Sequence, residues 1–210
     1  LQPIRRRYPG AVCLALTATA TPRVRQDIQQ SLGIGDAEVF VSSFDRPNLR
    51  LSAARRSDGL KQVLTFLKER REQPGIIYCS TREAVESLAD QVARGGYAVR
   101  PYHGGMDSAT RDRHQREFSR DDVQIIVATI AFGMGIDKSN VRFVLHHNLP
   151  ASLEGYYQEV GRAGRDGVEA DCHLLWGFDD VRTLTHFAEQ GAPAERQRRQ
   201  LMIQTMVRYA

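Results

Sequence analysis

The chain has 210 residues, 41% of them hydrophobic and 26% charged, with a formal net charge of +4. No apolar run approaches the ~20 residues of a membrane span, and residues 1–7 place charge ahead of no apolar segment, so neither a spanning helix nor a secretory leader is expected. The length suits one domain plus flanking pieces, and a chain that starts at Leu1 reads as an excerpt.

Cys13, Cys79 and Cys172 are spaced neither as a disulfide framework nor as a zinc site. Reduced thiols in a cytosolic protein are expected, placed in the cytoplasm or nucleoid, or in the nucleus of a eukaryote. Basic residues gather at 5–7, 55–56 and 196–199, a distribution that suits a polyanionic partner.

Short apolar runs bounded by turn formers alternate with stretches of helical periodicity, which predicts an α/β fold whose mainly parallel sheet has helices on both faces. In chain order, strands are expected at Val12–Leu16, Val39–Ser42, Ile76–Cys79, Val99–Tyr102, Ile125–Ala128, Phe143–His146 and His173–Trp176. Helices are expected at Pro22–Leu32, with Thr21 as N-cap, and at Arg82–Arg94, closed by Gly95-Gly96. Two more are expected at Ser108–Phe118 and Ser152–Val160, each capped by its serine. Residues 43–48 read as a linker. After Gly191-Ala192-Pro193 a basic helical stretch carries Leu201, Ile203, Met206 and Val207, apolar residues with no evident partner in the chain.

Five clusters carry chemistry. Leu16-Thr17-Ala18-Thr19-Ala20-Thr21 puts three hydroxyls between a strand and a helix, where ligands of open α/β sheets bind, although a capping turn has the same composition. Gly75–Arg82 delivers Ser80, Thr81 and Arg82 to a helix N-terminus, a combination that suits an anion or a plain N-cap. Tyr102-His103-Gly104-Gly105-Met106 offers paired glycines for close backbone approach, with His103 able to meet a ligand or a buried carbonyl. Ile125–Lys138 ends a strand at Thr129, turns through Gly133 and Gly135, and brings out Asp137 as a possible ribose contact. Last, Gln158–Gly167 sets Arg162 and Arg165 between glycines, fixed-charge forks suited to phosphate oxygens. This run lies at the far end of the helix begun by Ser152, and is expected to face the same sheet edge as the other four.

Taken together, Leu16–Thr21, Gly75–Arg82, Ile125–Lys138 and Tyr156–Gly167 resemble the later motifs of superfamily 2 helicases. Phe44-Asp45-Arg46-Pro47-Asn48-Leu49, Tyr102–Met106 and Ala131–Lys138 resemble the RecQ family of DNA helicases in particular. The resemblance implies two RecA-like lobes that bind ATP and Mg²⁺ between them while single-stranded DNA crosses one face. It implies that residues 1–48 end the first lobe, 49–190 form the second, and 191–210 lead into a zinc-binding module beyond residue 210, the only place where Zn²⁺ is expected. No Gly-x-x-x-x-Gly-Lys-Ser/Thr or Asp-Glu-x-His run occurs in the 210 residues, so most of the ATP and Mg²⁺ contacts would come from the first lobe of the same polypeptide.

Carried over residue by residue, the resemblance makes Arg165 the arginine finger, with Arg162 holding nucleotide or loop and Gln158 positioning it. Asp137 and Gly135 would contact the nucleotide, and Ser80, Thr81, Arg82, His103 and Thr129 would bind DNA, single-stranded or duplex. Thr17 and Thr19 would couple nucleotide state to lobe movement. The expected activity is ATP-dependent unwinding of duplex DNA, 3′ to 5′ by family, in repair and recombination. Two other readings stay open: an RNA helicase of the same superfamily, and a non-catalytic nucleic-acid-binding module.

Overall fold

The computed structural model describes residues 2–17, 20–41, 45–133, 136–190 and 192–210. Contacts divide the chain into two compact units, Leu1–Asp45 and Arg46–Ala210.

The first unit contains α1 (Gln2–Arg7) and α2 (Pro22–Leu32). Thr21 caps α2 by accepting from the Val24 N–H, and Gly33, in the left-handed region at φ 63°, ends it by donating to Gln29 and Gln30 carbonyls. The expected strands Val12–Leu16 and Val39–Ser42 do not form in their described part; Ser42 lies outside the described residues. A strand is stable only against a ladder partner and an apolar cover. Val12 is instead 97% exposed and Phe40 88%.

The second unit contains β1 (Leu49–Arg55), α3 (Gly59–Lys68), β2 (Gly75–Tyr78), α4 (Arg82–Arg94), β3 (Val99–Tyr102), α5 (Ser108–Ser119), β4 (Ile125–Ala128), β5 (Phe143–His146), α6 (Leu153–Val160), β6 (Ala170–Trp176), α7 (Phe178–Glu189) and α8 (Pro193–Tyr209). The strands form one sheet in the order β1-β6-β5-β2-β4-β3. Every pairing is parallel, with Ile76 opposite Ile126 and Val144 at the centre.

Alternation of side chains across the strands makes two cores. Ile76, Tyr78, Ile126, Val144 and Leu174 pack on one face with Phe118 of α5, Tyr156 and Val160 of α6, and Met206 of α8. Ile77, Cys79, Ile125, Val127, Phe143 and Leu145 pack on the other with Val63 and Leu67 of α3 and Val85, Leu88 and Val92 of α4. Burial pushes the Cys79 and Cys172 thiols up to about 12, so both stay protonated and inert at neutral pH.

Three sequence expectations change. The basic C-terminal helix does find its partner: Ile203 and Met206 of α8 are buried, and α8 packs on α7 and α6. Asp107 rather than Ser108 caps α5, its carboxylate accepting from the Thr110 N–H at 2.9 Å. β1, α3 and α7 were not anticipated: β1 is an edge strand with mostly exposed side chains, so no buried apolar run marks it. Among the described residues no helix is long and apolar enough to cross a membrane.

Candidate functional site

Because all six strands run the same way, the residues following each one share a sheet edge. Cys79–Arg82 after β2, His103–Gly105 after β3, Thr129 after β4 and His147-Asn148 after β5 therefore form one rim.

On this rim Ser80 and Arg82 are exposed. The Thr81 hydroxyl is occupied as the N-cap of α4, accepting from the Ala84 N–H at 3.1 Å. Ser80 is fixed through its backbone, whose N–H donates to Asn148 Oδ1 at 3.2 Å. The Asn148 amide in turn donates to Asp180 Oδ1 at 2.8 Å. Asp180 is buried and also accepts from Arg56 and from the Leu149 and Gly177 N–H groups, so one carboxylate joins the ends of β1, β5 and β6.

His103 is buried, and both its ring nitrogens are in use: Nδ1 accepts from the Gly105 N–H at 3.1 Å, which leaves Nε2–H to donate to Glu86 at 2.7 Å. It shapes the glycine turn, and a Cβ on Gly105 would come within 3.0 Å of the Arg82 guanidinium. Thr129 is half-buried and accepts weakly from the Ala131 N–H at 3.4 Å.

The arginine run does not form a fifth loop on this rim. A helix that follows a parallel strand carries the chain back along the sheet. Past α6 the Gly164 N–H donates to the Val141 carbonyl and Asp166 to Ser139, both just ahead of β5. The run is thereby laid along residues 133 and 136–141, described parts of the segment that returns from the rim to the start of β5. Arg162 Nη1 donates to the Gly133 carbonyl at 2.5 Å, and Arg165 Nη1 to the Ile136 carbonyl at 2.9 Å. Gly133 has φ 146°, and a Cβ there would stand 2.1 Å from Arg162 Cζ, so only glycine admits this guanidinium. Arg165 and Asp137 are exposed. Gly135 and Thr19 lie outside the described residues, and Thr17 is exposed in the other unit, outside any helix or strand.

Below the arginines lies a buried polar cluster. His146 Nε2 meets Glu159 Oε2 at 2.6 Å, and the imidazole stacks on Tyr78 at a centroid distance of 5.3 Å with the tilted Tyr156 ring 5.0 Å away. The Tyr78 hydroxyl donates to the Phe132 carbonyl at 3.0 Å, and burial raises its pKa against the pull of nearby Arg162. Gln158 belongs to the same last turn of α6.

Sequence reasoning missed what clamps the loop from outside. Arg46, read as linker, donates to the Ala163 and Gly164 carbonyls at 3.1 and 2.7 Å. Asn48 donates to Gly164 and Val168, both at 2.9 Å. Gly164, at φ 55°, has no room for a Cβ beside the Asn48 amide, 2.5 Å away. The only sequence signal was the resemblance of residues 44–49 to a RecQ stretch. Among the described residues no cluster of His, Cys, Asp and Glu could hold a metal ion.

Residues 57–167 match the family model described as the helicase conserved C-terminal domain. A relative from Pasteurella multocida, "ATP-dependent DNA helicase RecQ", is 42% identical over 97% of this chain and 32% of its own length. One of the same name from Haemophilus influenzae is 44% identical over 86% of this chain and 29% of its own. The chain thus spans about a third of the length of these curated relatives. Among solved structures, Saccharomyces cerevisiae Dbp5 bound to RNA and ADP BeF3 superposes with a TM-score of 0.67 at 19% identity, over 81% of this chain and 47% of that one, a likeness of fold. With the family model matched across the rim and the arginine loop, and RecQ relatives similar along most of its length, the chain belongs to the helicase conserved C-terminal domain family, in its RecQ branch.

Proposed function

We propose that this chain is the second motor lobe of an ATP-dependent DNA helicase. The observation that carries the reading is the pair of arginines anchored on the return segment, Arg162 against Gly133 and Arg165 against Ile136, with exposed Asp137 beside them. The same segment begins at Thr129 on the rim, so one stretch of backbone links the proposed nucleic-acid contacts to the proposed nucleotide contacts.

In this reading Arg165, Arg162 and Asp137 face ATP held, with Mg²⁺, chiefly by a first lobe of the same polypeptide. Hydrolysis of the β–γ phosphate bond supplies the free energy. Arg165 places fixed positive charge where negative charge builds on the transferring group, an effect worth roughly 10³- to 10⁵-fold in related phosphoryl transfers. Arg162 keeps the loop and Gly133 in register, while Gln158 positions its start. Ser80 and Arg82, with Thr81 and His103 shaping their turns, and Thr129 hold the phosphates of one DNA strand, which fixes its path without reading its sequence. Residues 1–48 are assigned to the first lobe and linker except for Arg46 and Asn48, whose contacts belong to the arginine loop.

The test is the full-length protein on matched DNA and RNA duplexes. Hydrolysis stimulated by DNA, with DNA unwound in preference to RNA, supports the reading. Stimulation by RNA alone moves the chain to the RNA-directed branch, and salt-sensitive binding without hydrolysis makes it a non-catalytic module.

A further inference from the structure

Resting on that reading of the rim, we infer that Phe178, together with Arg55, is a stacking platform for a base of the same single strand. Phe178 is a large aromatic side chain, 61% exposed, that the fold does not use. It opens α7, immediately after β6, so it stands on the rim that carries Ser80 and Arg82. Its placement is fixed by the hydrogen-bond chain already described. Ser80 N–H is held by Asn148, Asn148 by Asp180, and Asp180 lies in the first turn of α7 beside Phe178.

From β2 to β6 is two strand steps, β2 to β5 and β5 to β6. At ~4.8 Å per step that is about 10 Å, the length of roughly three nucleotides stacked at ~3.4 Å and fewer when the strand is extended. A strand gripped by its phosphate at Ser80 and Arg82 and running across the sheet therefore brings a base to Phe178.

The electrostatics fit a nucleotide. The Arg55 guanidinium lies 4.3 Å from the Phe178 ring centroid and 5.0 Å from that of Trp176, at the end of edge strand β1. Trp176 supports the platform from beneath, 6.0 Å from Phe178 in an edge-to-face arrangement. The exposed acids that follow β6 and β1 are engaged: the Asp179 carboxylate is paired with Arg56 at 2.6 Å, and that of Asp58 caps α3 by accepting from the Lys61 N–H at 3.1 Å. Arginine beside an exposed aromatic ring is the combination that holds single strands without sequence preference, because every base has a π-face.

The experiment measures binding of single-stranded oligodeoxythymidylate to the full chain by fluorescence anisotropy. It compares wild type, Phe178→Ala, Phe178→Trp and Arg82→Ala, with a second oligonucleotide abasic throughout. The ring is mostly exposed, so Phe178→Ala should keep the thermal midpoint of wild type. Stacking predicts that Phe178→Ala weakens binding by about five- to hundredfold, that Phe178→Trp keeps it, and that the salt slope is unchanged. It also predicts that wild type and Phe178→Ala bind the abasic strand alike. An affinity within twofold of wild type for Phe178→Ala, or an equal loss on intact and abasic strands, overturns the platform. If Arg82→Ala is weakened and Phe178→Ala is not, the platform alone is wrong; if neither changes binding, the nucleic-acid reading of the rim falls with it.

Discussion

The guanidinium of Arg162 occupies the space that a β-carbon on Gly133 would need, with Cζ only 2.1 Å from that position. Gly133 in the return segment and Arg162 after α6 are thus two halves of one device. Gly133→Ala should push Arg162 out of its seat at a backbone cost of about 1–3 kcal/mol. Displacements of this kind near a reacting centre cost about 10²-fold in rate. In the full-length protein, ATP turnover should fall by that order while DNA affinity stays within twofold; unchanged turnover would show that Arg162 can act from elsewhere.

The His146–Glu159 pair holds the last turn of α6 against the end of β5. Glu159→Ala leaves a buried imidazole nitrogen without its partner, which should destabilise the fold by about 1–3 kcal/mol. Glu159→Gln, which keeps a hydrogen-bonding group there, should cost less than half as much. Urea denaturation ranks the two variants, and equal losses would mean that packing, not the hydrogen bond, sets the cost.

Asp180 is the most connected carboxylate of the rim. Removing it strands Arg56, whose side chain is 12% exposed, with only exposed Asp179 as an acidic partner. Asp180→Ala should cost about 3 kcal/mol or more and should also loosen Asn148 and hence Ser80. Asn148→Ala should leave most of the stability in place while weakening single-strand binding, as read by anisotropy. A binding constant equal to wild type would remove Asn148 from the support of Ser80.

Burial, reinforced by Arg56, lowers the pKa of His147 below its usual 6.5, and burial with Arg70 does the same for His173. Their unfolded forms bind protons first as pH falls, so stability is present above about 6.5 and declines below it. For His147 the slope is at most about 1.4 kcal/mol per pH unit. Asp179 and Asp166, both with lowered values, add a second loss as pH falls through and below 3.8. Thermal midpoints taken from pH 8 down to pH 5 should fall, and less steeply in His147→Asn; a flat profile would contradict the depressed histidines.

Much of this was legible in the residues. Pro22–Leu32, Arg82–Arg94 and the strands at 99–102, 125–128 and 143–146 agree with their expected bounds, because caps and fully apolar runs are local signals. β1 was not legible, since as an edge strand it buries little and its register is set by β6, more than a hundred residues later. The site divides in the same way. The rim residues follow strands and were placed together, whereas the position of Gln158–Arg165 depends on the path of α6 and on the turn at Gly133. His103, read as a contact residue, has both nitrogens occupied, one by the Gly105 N–H of its own turn and the other by Glu86 of α4. The roles of Arg46 and Asn48 depend on contacts with residues 163–168, which periodicity cannot reveal.

In the proposed motor Arg165 acts on the phosphoryl group while the rim holds DNA. DNA-stimulated ATP hydrolysis of full-length wild type and Arg165→Ala at equal DNA occupancy separates these two roles. Turnover should fall by roughly 10³-fold or more with the DNA dissociation constant within twofold of wild type. A variant that hydrolyses ATP within tenfold of wild type would show that Arg165 is not the phosphoryl-group contact.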